Sequence, residues 1–347
     1  LPSFNELHCD IFAYITYMNR SIEDMPLPTF TSIFNFRPVR DGRLYRSAAL
    51  DDTSDADMKK FLDYTDITYR VDLRSPIEIW REDRDGDGSS RNKKISTRFR
   101  RATVAKRKRV QTLPGATTAQ LTITDLFGTS RRAKKETDAL VSRRSRLDAG
   151  RKVEITHVNF LNAEYRDKVI FDRCTFFDKL KLLGYFVTFR FDAMIKFVGQ
   201  KLLARGGLQG SYRDFVDHSD RAIDAALKEV VEHLELGHSI GINCSLGKDR
   251  TGIVVAFVRH VLGDSLDEIC HDYELSETAM GSLMERAIRN FRNQGLPDDF
   301  AKSPAAVMRS MFDYVDERYG SVENYLDKIG FDESWRNRLS DALIDAN

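Results

Sequence analysis

Five residues separate Cys244 from Arg250 in the segment Gly241-Ile242-Asn243-Cys244-Ser245-Leu246-Gly247-Lys248-Asp249-Arg250-Thr251-Gly252, a spacing that suits the handling of a phosphate group. An apolar strand runs into Cys244, and Gly252 opens an apolar helix from Ile253 to Val258. A loop between a strand end and a helix N-terminus aims backbone N–H groups inward, and the helix dipole adds positive potential. That field favours thiolate over thiol at Cys244, and the thiolate is the nucleophilic form. Arg250 can grip two phosphate oxygens with its planar fork, as a lysine cannot. Ser245, Leu246, Gly247 and Lys248 would line the cradle with their backbone. Gly247 permits close approach or a positive φ, and Thr251 can set a hydroxyl near the sulfur. Lys248 is expected at the outer rim, adding charge for a multiply anionic substrate. The competing reading is an inert buried cysteine. The strand before and the apolar helix after the loop argue against it.

A leaving oxygen needs a proton, so a placed carboxylic acid is expected. The chain offers two candidates. Asp249 lies in the loop itself, and Asp72 ends the strand-like run Thr68–Leu73. Whichever is not the acid could orient Arg250 through a salt bridge, and Asp72 could instead pair with Arg74.

These residues need elements to place them. Arg43–Leu50, Thr68–Leu73, Val153–Phe160 and His238–Cys244 read as strands. Ser54–Tyr64, capped by Ser54, and Thr251–Leu262 read as helices. Strands alternating with helices predict an α/β fold, a mainly parallel central sheet flanked by helices. The C-terminal third reads as helical. Ser303-Pro304 starts one helix, Gly320 stops it, and Val307, Met308, Met311, Phe312 and Val315 recur on its core face.

The 347 residues carry a formal net charge of +1, which does not suggest a general polyanion binder. Charge is uneven, however. From 81 to 152 there are 21 Lys+Arg against 8 Asp+Glu, a local balance of +13. Poor in apolar periodicity, this stretch reads as a loosely ordered insertion in a single domain spanning 1–347, with a short strand or docking segment at Gln120–Phe127. An anionic membrane surface is its natural partner. Few aromatic residues accompany Lys106-Arg107-Lys108-Arg109, so nucleic acid is not expected. Asp83 to Gly88 imitates a calcium loop, but Lys94 holds the position that needs a bidentate Glu, so no metal is expected. The scattered Cys9, Cys174, Cys244 and Cys270 form neither a disulfide framework nor a zinc site, which fits a reducing, cytoplasmic setting. No secretory signal is read in the chain. The most apolar run, Leu180–Val198, is broken by Lys181, Arg190, Asp192 and Lys196, too polar to span a bilayer but able to lie on a surface. It belongs to a strongly aromatic helical segment, 172–205, that reads as a cap or lid or as a core helix pair.

The loop Cys-Ser-Leu-Gly-Lys-Asp-Arg-Thr-Gly resembles the phosphate loop of the protein-tyrosine-phosphatase superfamily. It is most similar to the tyrosine/serine phosphatase family, whose loop usually reads H-C-x-x-G-K-D-R-T-G and which includes bacterial lipid-active tyrosine phosphatases and fungal proteins. Phe34-Asn35-Phe36-Arg37 with Gly42-Arg43-Leu44-Tyr45-Arg46-Ser47, then Val71-Asp72-Leu73-Arg74-Ser75, Asp272-Tyr273 and Tyr319-Gly320…Tyr325-Leu326, extend the resemblance over roughly 30–80 and 155–345. Two positions depart from it. Asn243 stands where the family has His, and Pro38-Val39-Arg40 stands where it has Asp and paired glycines. The resemblance implies a phosphatase fold and a two-step, cofactor-free hydrolysis of phosphotyrosine protein or phosphoinositide. Two alternatives remain: a non-catalytic phosphate-binding module, and thiolate chemistry on sulfur or arsenate.

Overall fold

A computed structural model describes residues 27–40, 42–76, 78–79 and 140–344. In chain order they form β1 (Arg37–Arg40), β2 (Leu44–Ser47), α1 (Asp55–Thr65), β3 (Ile67–Asp72), β4 (Val141–Asp148) and β5 (Arg151–Val158). Two exposed helices follow, α2 (Phe176–Val187) and α3 (Phe191–Val198), then α4 (Gly207–His218), α5 (Asp220–Glu235) and β6 (Ser239–Asn243). The rest is helical: α6 (Asp249–Val261), α7 (Leu266–Ala279), α8 (Leu283–Asn293), α9 (Ala305–Tyr319), α10 (Val322–Ile329) and α11 (Glu333–Ile344).

The sheet runs β1-β2-β6-β3-β5-β4. Its four inner strands are parallel, and an antiparallel strand closes each edge. The mainly parallel α/β architecture and the helical C-terminal part are thus as expected. β6 is central and fully flanked, so its run Ile240-Gly241-Ile242 is apolar throughout, as a strand covered on both faces must be. Gly241 fits there because Ile67 and Arg70 of β3 crowd the space a Cβ would take. One face of the sheet packs against α1 through Tyr45, Phe61, Leu62, Ile67 and Ile155. The other packs against α5, α6 and α9 in a larger core that includes Val71, Ile242, Val254 and Met311.

Local signals hold where the packing agrees with them. Ser54 caps α1, its hydroxyl accepting the Asp57 N–H. Val307, Met308, Met311, Phe312 and Val315 are all buried on α9, and Gly320 ends that helix with φ 88°. The N-cap of α9 is Pro304 and not Ser303, whose N–H and hydroxyl turn instead to Glu277 and Glu274.

The basic stretch needs a correction. Its last residues are not part of a loosely ordered insertion: Val141–Asp148 pairs along its whole length with β5, and Arg151-Lys152 opens β5. The reason is its edge position. An exposed charged side chain such as Arg143 suits a strand with only one neighbour, and it deters further pairing. The segment 120–127, the calcium-like run 83–88 and the basic tetrad 106–109 lie outside the described residues, as does Cys9. Among the described residues no helix is long and apolar enough to cross a membrane.

Candidate active site

β6 ends at Asn243, Cys244 follows it, and α6 begins at Asp249, so the strand–loop–helix order read from the sequence is the one that forms. Cys244 is buried, with 3% of its surface exposed. Gly247 takes φ 64°, and a Cβ there would collide with the backbone carbonyl of Ser47. The Leu246 and Gly247 carbonyls both accept hydrogen bonds from Asn35 Nδ2, at 3.0 and 2.9 Å, and Gly247 also accepts from Arg46 at 2.7 Å. In a planar trans peptide the N–H points opposite to the carbonyl. Pinning these carbonyls outward therefore turns the N–H groups of Gly247 and Lys248 into the loop. No acceptor among the described residues takes the N–H groups of Ser245 to Lys248. Gly247→Ala should lower stability by at least about 1–3 kcal/mol and abolish most turnover. A thermal melt and an aryl phosphate assay check this, and wild-type turnover in the variant would contradict the cradle.

The side chains that pin the loop come from far along the chain. Asn35 sits in the left-handed region at φ 52°, and its Oδ1 accepts from Arg37 at 2.6 Å. Arg37 and Arg46 both bind the Asp272 carboxylate, Arg37 at 2.6 Å. Burial alone would raise the Asp272 carboxyl, but these two guanidinium groups hold it at about 2. This buried network ties Asn35, Arg37, Arg46 and Asp272 to the loop.

Arg250 is buried, and its fork is held by a carboxylate that sequence reasoning missed. Its Nη1 donates to Glu78 at 2.7 Å and to the Leu73 carbonyl at 3.1 Å, and its Nη2 donates to Glu78 at 2.5 Å. Five N–H donors less these three leave the Nε edge and one Nη2 hydrogen for a second, two-pronged contact. Burial pushes the Glu78 carboxyl up, yet Arg250 more than offsets this and holds it at about 2. Burial likewise disfavours charge on Arg250, and Glu78 and Cys244 overcome it, so the guanidinium stays protonated. The overlooked signal was Ser75-Pro76-x-Glu78. Glu78 caps Ser75, accepting its N–H and hydroxyl at 2.9 and 2.8 Å, in a capping box that also presents the carboxylate to Arg250 and to Ser245.

The two aspartates occupy unlike places. Asp72 is 0% exposed, and its carboxylate lies against Arg74 at 2.6 Å and His157 at 3.5 Å. Burial would raise its carboxyl, but Arg74 holds it far below the usual carboxylate range. Of the two readings left open for it, pairing with Arg74 is the one that forms, and the salt bridge to Arg250 comes from Glu78. Asp249 keeps 20% of its side-chain surface open. Its Oδ1 accepts from Tyr212 of α4 at 3.0 Å and lies 3.0 Å from Lys248 Nζ. Burial and the neighbouring Asp249 push the Tyr212 phenol well above its usual value, so it remains a donor.

Lys248 is the clearest departure from expectation. It is not at the rim but 0% exposed, and its ammonium donates to the Phe300 and Lys302 carbonyls at 2.8 and 2.6 Å. The turn before α9 supplies two acceptors and a ceiling, so the side chain anchors the loop from inside. Leu246 likewise packs on Ala48, Met280 and Leu283. Thr251 is buried, and its hydroxyl has no partner among the described residues. Asn243 accepts from Arg70 at 2.7 Å, while its Nδ2 has no partner among the described residues.

With the cradle, its pins and the fork in place, comparison with known proteins gives the same answer at the level of the whole chain. Residues 32–345 match the model of the tyrosine phosphatase family. The chain belongs to that family. It is also 29% identical over 148 residues to the triple specificity protein phosphatase PtpB of Mycobacterium tuberculosis, covering 38% of this chain and 53% of that protein. The match therefore spans about half of that relative's length. Within the family pattern, the His-to-Asn change before Cys244 places a neutral amide beside a buried guanidinium, where an added positive charge would face Arg70.

Proposed function

We propose that this family member is a cysteine-dependent phosphatase that hydrolyses phosphate monoesters through a cysteinyl-phosphate intermediate. The observation that carries the reading is the loop with its carbonyls pinned outward, joining Cys244 to an Arg250 fork oriented by Glu78. The Cys244 thiolate attacks phosphorus, the S–P bond forms, and the bond from phosphorus to the leaving oxygen breaks. Loop N–H groups and Arg250 hold the equatorial oxygens, where charge develops. Asp249 gives its proton to the leaving oxygen. Water then attacks phosphorus and returns a proton to Asp249, the S–P bond breaks, and inorganic phosphate leaves with the thiolate restored. Exposure and reach support Asp249 as the acid over Asp72, which has no open surface. Glu78 acts through Arg250 as a positioning residue.

For substrates we propose phosphotyrosine protein, phosphoinositide or both, a breadth in keeping with a relative named as a triple specificity phosphatase. A cytoplasmic, reducing setting suits a nucleophile that must remain unoxidised. Turnover of an aryl phosphate, with mass-spectrometric trapping of phosphate on Cys244, tests the reaction. Binding without turnover would leave a phosphate-binding module instead. Asp249→Asn should slow esters of poor leaving groups, such as phosphoserine peptides, about 10²-fold or more. A nitrophenyl ester, which departs without help, should be nearly unaffected. Equal losses on both would remove Asp249 as the acid.

A further inference from the structure

Helix α2 is amphipathic the wrong way round. Phe176, Leu180, Leu183 and Val187 fall at i, i+4, i+7 and i+11, one stripe along a helix. That stripe faces solvent, at 75%, 56%, 55% and 63% exposure, with Phe177 beside it at 78%. The face turned inward buries Leu182 and Asp178, with Tyr185 and Phe186 half-buried beside them, and Asp178 pairs with Lys201 and closes the capping box with Thr175. Of the eleven large hydrophobic side chains exposed among the described residues, seven lie between Phe171 and Phe189. Such concentration marks an interaction surface.

Charge selects the occupant. Lys179, Lys181, Arg190 and Lys196 are exposed, and none has a carboxylate partner among the described residues. Lys181 lies over the Phe197 ring at 4.6 Å and Arg190 over Tyr185 at 6.0 Å, which keeps both cations at the rim of the apolar stripe. Asp192 is the one exposed carboxylate between Phe176 and Val198. Aromatic and aliphatic side chains on one face, bordered by cations, are the pattern of a helix lying in a bilayer interface. A two-fold pairing of identical patches would instead bring these cations against one another.

We propose that α2 is a membrane-docking element, its Phe176–Val187 stripe entering the interface of an anionic bilayer while Lys179, Lys181 and Arg190 meet the headgroups. This goes beyond the catalytic reading and does not depend on it. The basic stretch before β4 would add long-range attraction, which salt screens. The stripe adds an apolar part, which salt does not.

The test uses the full chain and sedimentation with phosphatidylcholine vesicles, with and without phosphatidylserine. Wild type should pellet with the anionic vesicles and retain part of that binding in high salt. Phe176→Ser/Phe177→Ser/Leu180→Ser should bind at least about tenfold more weakly and keep aryl phosphate turnover. Equal binding by the two proteins overturns the proposal, as does a concentration-dependent dimer that the triple variant abolishes while neither protein pellets. Phe177→Trp supplies a readout in a protein that keeps its apolar stripe. Its emission should shift to the blue with anionic vesicles and be quenched by brominated acyl chains, and an unshifted spectrum overturns docking by α2.

Discussion

Cys244→Ser should abolish turnover, with a loss on the order of 10⁴–10⁶ in kcat, the range seen when a covalent catalyst loses its nucleophile. A serine hydroxyl in the same place is a far weaker nucleophile at neutral pH. Binding of phosphate ligands should survive, because none of the contacts that shape the cradle uses the sulfur. Asn35, Arg46 and Gly247 set the loop carbonyls, and Glu78 sets Arg250. Calorimetry with a phosphate ester and a turnover assay on the same preparation separate the two effects. A serine variant that hydrolyses at the wild-type rate would take Cys244 out of the mechanism.

Arg250→Lys should cost about 10²–10³ in kcat, or roughly 2.7–4 kcal/mol, the loss expected for one preorganised donor at a transition state. The charge is kept, so the loss reads geometry. Arg250 spends one edge of its fork on both oxygens of Glu78 and the Leu73 carbonyl, and only a planar guanidinium has a second edge left for phosphate. A lysine that follows Glu78 leaves the phosphate, and one that follows the phosphate leaves a half-buried carboxylate poorly paired. Steady-state kinetics on an aryl phosphate, with a melt to verify folding, decide the matter. Wild-type kcat in a folded lysine variant would exclude the two-edged role.

The strand–loop–helix order around Cys244 and Arg250 was legible because it is local: a strand end, a loop of fixed length and a helix start within a dozen residues. What was hidden is what reaches them from elsewhere. Glu78 meets Arg250 across 172 positions and Asn35 meets Gly247 across 212, distances over which sequence alone carries no pairing signal. Lys248 looked like a rim charge because lysines are seldom buried. Its two carbonyl acceptors, at 300 and 302, exist only once the turn before α9 folds over it. β4 was masked by its composition, since an arginine-rich edge strand reads like a solvated linker. Helix α2 shows the opposite limit. Its apolar and aromatic content was plain, but content does not say whether the apolar face meets the protein interior or solvent.

The Asp272 carboxylate, shared by Arg37 and Arg46, also bears on when the phosphate loop can exist. Asp272 lies 235 residues beyond Arg37 and 28 residues after Cys244 in the chain, so a growing polypeptide already carries the whole nucleophile loop before the group that locks its pins has been made. Closing so distant a contact is entropically costly and belongs late in folding. The posture of the loop therefore depends on contacts between segments far apart in the chain and is not a property of the Cys244–Arg250 segment taken alone.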